Sequence, residues 1–471
     1  MKRNAPLLGP LVPAVFLVVP LTTAVAAASA LKAGVAEMDI TPPVGHRMAG
    51  YFDERLATGT HDPLKAKAIV LQQGQEKFAF AFCDLVGVSL HVSTNARARF
   101  SQLTGIPVAN IMISATHSHT GPSFDDVRRD FFHEQAMAKL GKDPQEEIYY
   151  PDFLAERLVA VLSAANHKLM PAALFAGTAN QEGQSFNRRF HMKNGTVAFN
   201  PGQLNPTIVK PAGPIDPEIG LLLVRGADGA RAHGGLTVFA CHCDTVGGTE
   251  FSADYPFFLQ QALRQEFGSD FISAFAAGTC GDINHINVAV KESVKGLAVA
   301  ERLGTTLAKT ALAAHAQLPA MTRPRLAVKS QRLTVPLQEV TPERAKAAWS
   351  RLEMLKTGEG GFLEKVEAVK AVDLANRGKT WPMEVQVFRL DNDTAIVGLP
   401  GEIFVELGLA IKRASPFKRT FVLSLCNDRP GYVPTLKAFN EGSYEVVNSR
   451  VKPGVGETLV ETAIDLLKQL K

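Results

Sequence analysis

Residues 65–90 read KAKAIVLQQGQEKFAFAFCDLVGVSL and contain two short apolar runs. Runs of this length that are rich in apolar and β-branched residues are typical of buried β-strands. Further strand-like runs are NIMISATH at 110–117, LTVFACH at 236–242, FISAFAAG at 271–278, VQVFRL at 385–390, TAIVGL at 394–399 and FVLSLC at 421–426. Amphipathic helical stretches lie between them at 152–167, 256–267 and 297–318. This interleaving predicts an α/β fold in which helices cover one or more sheets.

A further helical region is expected at about 341–379. Thr341 supplies an N-cap residue and Pro342 suits the first helical position. Glycines at 358, 360 and 361 interrupt the region and predict a helical hairpin. Because the strand-like run 383–390 follows directly, the region is interpreted as a lid or an insertion within one domain rather than as a linker.

The composition places the chain among globular proteins and excludes some partners. The 471 residues are 46% hydrophobic, with 50 basic and 46 acidic side chains and a formal charge of +4. The basic residues are scattered, so no patch follows a phosphate backbone and nucleic acid is not expected as a partner. The aromatic residues are 27 Phe, six Tyr and two Trp, a composition that gives no sign of a base-stacking surface.

The N-terminus has the pattern of a secretory signal. Lys2 and Arg3 precede the apolar run PAVFLVVPL at 13–21, and Ala28-Ser29-Ala30 forms a small-x-small cleavage motif. The alternative is a membrane anchor, but prolines interrupt a run that is shorter than the roughly 20 residues that a span needs. We therefore expect a signal peptide at 1–30, a mature domain at 31–471 without a membrane span, and a periplasmic or secreted location.

The five cysteines do not form a disulfide pattern. An odd number in an exported chain leaves at least one thiol unpaired, and Cys83, Cys241 and Cys426 lie within apolar runs where burial is the ordinary explanation. Cys241-His242-Cys243 is the alternative, as a fragment of a metal site, but no second Cys pair at zinc spacing accompanies it.

Several predicted strands end in polar groups that are capable of chemistry. These endings are His117-Ser118-His119, His242-Cys243-Asp244, Asp282-Ile283-Asn284-His285, Glu402 and Asn427-Asp428-Arg429. Ligands of open α/β sheets bind beyond the carboxyl ends of the strands, so we expect these endings to form one site.

Two histidines and a carboxylate in this set are typical of a catalytic zinc centre. His117 and His119 have the spacing that places both rings on one face of an extended chain. One of these rings would join His242 and Glu402 in a set of two imidazoles and one carboxylate that leaves a position for water, and the other ring would contact substrate or a metal ligand. The alternatives are ordinary loop histidines, and a Glu402 that complements the dipole of a predicted helix EIFVELGLAIK at 402–412.

Six ordered motifs resemble one enzyme family. They are GVAEMDITPPVGHRMAGY with HDPLKAKAIVL, ISATHSHTGP, FACH with DYP, AAGTCGDIN, LPGE, and GYVPTLKAFNEGSYE. Together they resemble the catalytic domain of the neutral (alkaline, non-lysosomal) ceramidases. That resemblance implies a domain of mixed sheets covered by helices with a metal site at the strand ends. It also implies a zinc-dependent amidase that cleaves the N-acyl bond of a lipid such as ceramide.

The resemblance also implies roles for individual residues. The zinc ligands would be His117, His242, Glu402 and Tyr432. His119 would contact substrate or move a proton, and Arg188 and Tyr444 would contact substrate, with Arg189 in place of Arg188 if the register shifts by one. Asp244 and Asp282 could orient metal-bound histidines, as carboxylates often do, or could cap loops.

The sequence departs from the family pattern in two places. Asn284 stands where the family has a catalytic Ser, and an amide can polarise a carbonyl but cannot act as a hydroxyl nucleophile. The chain also ends soon after Tyr444, so the immunoglobulin-like C-terminal domain of the family is not expected.

The leading hypothesis is therefore a Zn²⁺ amidohydrolase in which water is the nucleophile, acting on a small-molecule or lipid amide. The alternatives are a metal-dependent hydrolase of esters, lactones or other conjugates, and a non-catalytic metal-binding protein. The sequence does not set the oligomeric state.

Overall fold

The computed structural model describes residues 1–3, 5, 9 and 30–471. The apolar core of the expected signal, residues 13–21, lies outside the described residues, so export stays a prediction. In the described part of the chain, no helix has both the length and the apolar character that crossing a bilayer requires.

The strands are short and are distributed along the whole domain. Their bounds are β1 Leu31–Asp39, β2 Gly59–Thr60, β3 Lys65–Gln73, β4 Glu76–Cys83, β5 Ile111–Ala115, β6 Met170–Asn180, β7 Phe186–Asn187, β8 Arg189–Met192, β9 Val197–Phe199, β10 Ile208–Pro211, β11 Glu218–Gly226, β12 Ala232–Phe239, β13 Glu250–Phe251, β14 Ile272–Ala277, β15 Ile283–Asn284, β16 Ala327–Pro336, β17 Thr380–Arg389, β18 Thr394–Gly398, β19 Glu402–Ile403, β20 Arg419–Leu423 and β21 Tyr432–Val433.

The helices lie between these strands, with a 3₁₀ turn at Val108–Asn110. Their bounds are α1 Leu90–Thr104, α2 Val127–Leu140, α3 Tyr150–His167, α4 Tyr255–Phe267, α5 Leu297–His315, α6 Pro342–Arg351, α7 Met354–Thr357, α8 Phe362–Arg377, α9 Val405–Ala414, α10 Leu436–Glu441, α11 Tyr444–Val447 and α12 Val455–Leu470.

Two mixed sheets form the centre of the domain. Within residues 31–277, eight strands pair in the order β14-β12-β11-β6-β1-β3-β4-β5, with parallel pairing of β12 with β14 and of β4 with β5. Within residues 327–423, four strands pair in the order β16-β17-β18-β20, and only the β18 and β20 pair is parallel. Both sheets therefore combine hairpin connections with crossovers through helices.

The sheets pack against each other through a core of large apolar side chains. Phe78 and Phe80 of β4 contact Phe388 of β17 with ring centroids 5.2 Å and 4.9 Å apart, and Leu, Val and Ile residues of both sheets surround them. Burying aromatic and branched side chains between the two faces is the main source of stability for this arrangement.

Helices cover the outer faces. Helices α1 and α3 pack on one half of the large sheet, α4 and α5 on the other half, and α9 and α12 on the smaller sheet. The prediction of mixed sheets covered by helices is confirmed.

One predicted helix begins later than expected. Glu402 and Ile403 form β19, and the helix starts only at Val405. The prediction of a helix from Glu402 is wrong, because the segment first pairs in parallel with β21, where Glu402 lies opposite Tyr432. Glu402 therefore does not serve as a first-turn carboxylate.

Helices α6, α7 and α8 occupy the region 342–377. The side chain of Thr341 accepts a hydrogen bond from the Arg344 N–H at 3.3 Å and caps α6. Gly358 and Gly360 adopt left-handed backbone angles and allow the chain to reverse before α8. Apolar side chains of α6 and α8 pack together and against α2, which fixes this region beside the strand ends.

All five cysteines are buried and have free thiols. Cys243 Sγ donates to Thr116 O at 2.9 Å, and Cys241 Sγ lies 3.9 Å from Gln184 O. Neither thiol joins a group of metal donors within the described chain. These two cysteines are therefore packed core residues.

Candidate active site

The chain brings distant strand ends together through the segment that leaves β20. Strands β5 and β14 lie at opposite edges of the large sheet, yet the sheet curves so that they approach each other. Ser424 N donates to Ala277 O at 2.9 Å, and Asn427 N donates to Ile113 O at 2.6 Å. One segment of the smaller sheet thus bridges both edges, and the loops that follow β5, β12 and β14 meet beside it.

His117 follows β5 in an unusual backbone conformation. Its φ is +75°, a left-handed value that is uncommon for a residue with a side chain. The backbone is held there because His117 N donates to Leu85 O at 2.9 Å, and His119 N donates to Cys243 O at 3.1 Å. Strain of this kind is concentrated at functional sites, and here it turns the first ring toward His242.

The ring orientations of His117 and His242 leave their Nε2 atoms free of protons. His117 Nδ1 lies 2.7 Å from Val86 O, and His242 Nδ1 lies 2.9 Å from both Cys280 O and Ile283 O. A carbonyl can only accept, so Nδ1 carries the proton and Nε2 presents a lone pair. Burial and the nearby Arg188 guanidinium also lower the pKa of His242 to about 3, so that its ring is neutral.

Glu402 points a carboxylate oxygen at both of these nitrogens. Its Oε2 lies 3.2 Å from His117 Nε2 and 3.3 Å from His242 Nε2. The same oxygen is buried and has no hydrogen-bond donor among the described residues.

This donor set fits a divalent cation. Two imidazole lone pairs and a carboxylate oxygen repel one another unless a positive charge lies between them. His119 lies beside this set, since its Nε2 is 3.3 Å from His117 Nε2 and the rings of His117, His119 and His242 form a compact group. Imidazole and carboxylate ligands in this number are typical of catalytic zinc centres.

A carboxylate network lies behind His119. Asp244 Oδ1 is 3.8 Å from His119 Nδ1 and accepts hydrogen bonds from Tyr51 Oη, at 2.6 Å, and from Lys295 Nζ. Burial opposes ionisation of Asp244, but His119 and Lys295 outweigh it and lower its pKa. Asp244 therefore presents a fixed negative charge to His119.

Arg188 links the metal-donor group, which consists of His117, His242 and Glu402, to the two predicted tyrosines, Tyr432 and Tyr444. Its Nη1 lies 3.1 Å from His242 Nε2, and its Nη2 donates to Gly281 O at 2.8 Å and to Tyr432 Oη at 3.1 Å. The guanidinium carbon lies 5.5 Å and 5.9 Å from the ring centroids of Tyr432 and Tyr444. Arg188 thus places a buried positive charge at the edge of the group.

A fully buried carboxylate holds this arginine. Glu445 Oε1 accepts from Arg188 Nε at 2.9 Å, and its Oε2 accepts from Arg189 Nη1 at 3.1 Å. Arg189 also donates to Gly442 O and Glu441, so it faces away from the metal donors. Between the two candidate arginines, Arg188 is the one that reaches the site.

A cavity of 340 Å³ opens beside these residues. Its lining includes His117, His119 and Glu402, and the rings of Tyr432 and Tyr444. The remaining charged or hydrogen-bonding lining residues are Ser89, His91, Asp125, Asp126, Arg128, Asp373, Arg377, Trp381, Asp428, Arg429, Asn448 and Arg450. The site is therefore open to a ligand, and much of its wall is charged.

The family model described as "Neutral/alkaline non-lysosomal ceramidase, N-terminal" matches residues 31–297. The chain belongs to this family. A curated relative, the neutral ceramidase of Pseudomonas aeruginosa, is 24% identical over 263 residues, which are 53% of this chain and 36% of the relative. The match thus spans about a third of that protein's length.

Solved structures show the same fold. The neutral ceramidase of Pseudomonas aeruginosa aligns with a TM-score of 0.71 at 19% identity, over 94% of this chain and 74% of that one. A ceramidase complexed with C2 aligns with a TM-score of 0.70 at 17% identity, over 94% and 75% of the two chains. The resemblance inferred from the six motifs is confirmed at the level of family and fold.

Two other predicted residues of this ceramidase-family chain serve the loops. Asn284 Nδ2 donates to Asn200 Oδ1 at 3.0 Å, and its Oδ1 accepts from the Ile286 N–H at 3.0 Å. Asp282 accepts hydrogen bonds from Asn187 Nδ2 and from Val405 N, each at 2.8 Å. Burial, opposed by these hydrogen bonds, raises the pKa of Asp282 to about 6. Backbone carbonyls, rather than Asp282, hold the Nδ1 atoms of the metal-donor histidines.

Sequence reasoning missed Glu445 and the wall that α8 provides. Glu445 could have been found, since it follows Tyr444 directly and two adjacent buried arginines require a countercharge. Asp373 and Arg377 of α8 carried no motif, because helix-surface charges are usually solvated.

Proposed function

We propose that this protein is a zinc-dependent hydrolase that cleaves the N-acyl bond of an amide substrate. The observation that carries the proposal is the meeting of His117 Nε2 and His242 Nε2 with Glu402 Oε2, within 3.3 Å, at the wall of a cavity. Membership in the ceramidase family supports an amide as the scissile bond.

The residues that would hold zinc are His117, His242, Glu402 and Tyr432. Zinc bound there would supply Lewis acidity toward the scissile carbonyl and toward the attacking water. Contacts of the His117 and His242 Nδ1 atoms with backbone carbonyls support this role, because they leave a lone pair on each Nε2. Such contacts fix the tautomer and raise the basicity of the ligand nitrogen.

His119 is the proposed proton carrier. Asp244 favours a proton on Nδ1 of His119, which leaves Nε2 to accept a proton from water and to pass it to the departing amine. Arg188 and the hydroxyl of Tyr444 would position the carbonyl oxygen and stabilise the negative charge that develops on it. No hydroxyl is needed at position 284, because water is the nucleophile and the Asn284 amide is engaged by Asn200.

The proposal is tested by metal analysis and turnover on the same preparation. The purified protein is assayed against N-acyl sphingoid amides and esters with the same acyl chain, before and after chelation, and after zinc is restored. We expect amide hydrolysis that chelation abolishes and zinc restores. Equal turnover without metal would refute zinc dependence, and ester turnover without amide turnover would refute the choice of bond.

A matched pair of histidine variants completes the test. His242→Ala removes a proposed ligand, whereas His167→Ala changes an exposed histidine at the end of α3. We expect His242→Ala to lose both bound zinc and activity, and His167→Ala to keep both. A fully loaded protein with no turnover of any amide or ester would instead support a binding role.

A further inference from the structure

One wall of the cavity contains two arginines that share a single carboxylate. Asp373 Oδ1 accepts from Arg377 Nε, and Asp373 Oδ2 accepts from Arg450 Nε, each at 2.8 Å. This cluster, defined here as the arginine wall, carries one negative and two positive charges. Its outer guanidinium edges therefore keep a net positive charge beside the cavity.

Two other acidic groups of the cavity, Asp428 and Asp126, are engaged by neighbouring donors. Asp428 accepts from Trp381 Nε1 at 2.6 Å and from two backbone N–H groups. Asp126 accepts the backbone N–H groups at the start of α2 and pairs with Arg128. Among the described residues, neither carboxylate accepts a hydrogen bond from the arginine wall, although Arg450 Nη1 also donates to Asn448 Oδ1 at 2.6 Å.

Arg377 is fixed in place but incompletely satisfied. Its guanidinium carbon lies 4.1 Å from the ring centroid of Trp381, a cation–π contact that orients the group. Its Nη1 is buried and has no hydrogen-bond acceptor among the described residues. A buried donor without an acceptor is unfavourable, so this nitrogen is suited to an acceptor that a ligand brings into the cavity.

On the basis of the proposed function, we propose that the amine half of the substrate carries a carboxylate, which the arginine wall binds. A guanidinium edge presents paired donors that match the two oxygens of a carboxylate. An alkyl chain of a sphingoid base would instead cover these charges and remove them from water without compensation. The substrate class is therefore N-acyl amino acids.

The direct test uses two substrates that differ in one group. N-acylglycine and N-acylethanolamine of the same acyl length present a carboxylate and a hydroxyl at the same position. We expect the zinc-loaded enzyme to favour N-acylglycine by about tenfold or more in kcat/KM, the effect of one charge-assisted contact. N-acylphosphoethanolamine and an N-acyl sphingoid base complete the panel and distinguish a general anion site from a carboxylate site.

The variant Arg377→Gln should remove this preference by raising KM for N-acylglycine more than KM for N-acylethanolamine. Arg231→Gln, which changes an exposed arginine paired with Asp270, is the control and should keep the preference. Thermal unfolding of both variants establishes that they fold. A preference that survives Arg377→Gln, or equal turnover of the two substrates by the wild type, would overturn the proposal.

Binding separates this inference from the proposed function. Calorimetry on metal-depleted protein should show tighter binding of N-acylglycine than of N-acylethanolamine, and Arg377→Gln should abolish the difference. If binding is charge-selective but no amide is cleaved, the result supports carboxylate binding by the arginine wall and refutes the hydrolase proposal. If amides are cleaved without charge selection, the result supports the hydrolase proposal and refutes carboxylate binding by the arginine wall.

Discussion

Replacing Glu445 by Gln should cost this fold much of its stability with almost no change in side-chain shape. Its side chain is 0% exposed, and it is the shared partner of Arg188 and Arg189, whose side chains are 5% and 2% exposed. The substitution Glu445→Gln keeps the volume but removes the charge. It leaves two buried guanidinium groups with an amide oxygen in place of a carboxylate.

The expected cost follows from the burial of the ion pairs. Breaking a buried ion pair by removing one partner destabilises a protein by about 3–5 kcal/mol, because the remaining charge stays desolvated. Since Gln still accepts one hydrogen bond, we expect the lower end, about 3 kcal/mol, which is a large part of a typical unfolding free energy of about 5–15 kcal/mol. With an m-value of about 3 kcal/mol per molar urea, the midpoint of unfolding should fall by about 1 M.

Glu441→Gln is the matched control. Glu441 also pairs with Arg189, at 3.2 Å, but it is 16% exposed and solvent can replace it. We expect a cost of about 1 kcal/mol or less for this variant. Equilibrium urea unfolding, followed by circular dichroism, measures both. If Glu445→Gln unfolds within about 1 kcal/mol of the wild type, or if the two variants cost the same, the ascribed role of Glu445 is wrong.

Three further predictions concern the site. Chelation should lower the melting temperature of the wild type, by an amount equivalent to about 4 kcal/mol at a zinc concentration 1,000 times Kd, and His242→Ala should remove that difference in calorimetry with and without zinc. Gly281→Ala should weaken zinc binding about tenfold or more, because the added Cβ would lie 2.5 Å from Glu402 O. Gly247→Ala, whose Cβ would have its nearest neighbour at 3.9 Å, should leave zinc binding unchanged. Competition with a chromophoric chelator measures both affinities. Burial opposes ionisation of Asp126, but cationic neighbours and backbone N–H groups outweigh it and lower its pKa from 3.8 to about 2. The resulting stabilisation, about 2 kcal/mol, is complete above pH 3.8 and is lost as the pH falls toward 2, so Asp126→Asn should cost that amount at pH 7 and progressively less in acid.

Local patterns predicted most elements of the fold. The predicted helices 152–167 and 256–267 differ by one or two residues from α3 and α4, and the apolar run at 394–399 became β18. Periodicity decides these elements because each buries one apolar stripe or a short apolar run. The helix expected from Glu402 failed because a pairing with Tyr432, distant in the chain, overrides local helix propensity for two residues.

The convergence of the site could not be derived from local patterns. His117 and His242 follow strands near opposite edges of one sheet, and they meet because Ser424 and Asn427 bond to both edges. Nothing in the apolar run at 421–426 signals that bridge, since strand order and curvature depend on contacts between distant segments. The six motifs placed these residues in one site only through the family that they resemble.

The proposed metal site and the proposed specificity rest on different side chains. The family model covers His117 and His242, within residues 31–297, whereas Glu402 and Tyr432 lie beyond it together with Asp373, Arg377 and Arg450. Helix α8 packs against α2 through its apolar side chains, and its Asp373 and Arg377 line the cavity. The proposed carboxylate contact therefore rests on side chains other than the proposed metal ligands. It follows that family membership supports an amide as the proposed scissile bond more strongly than it supports ceramide as the molecule that carries it.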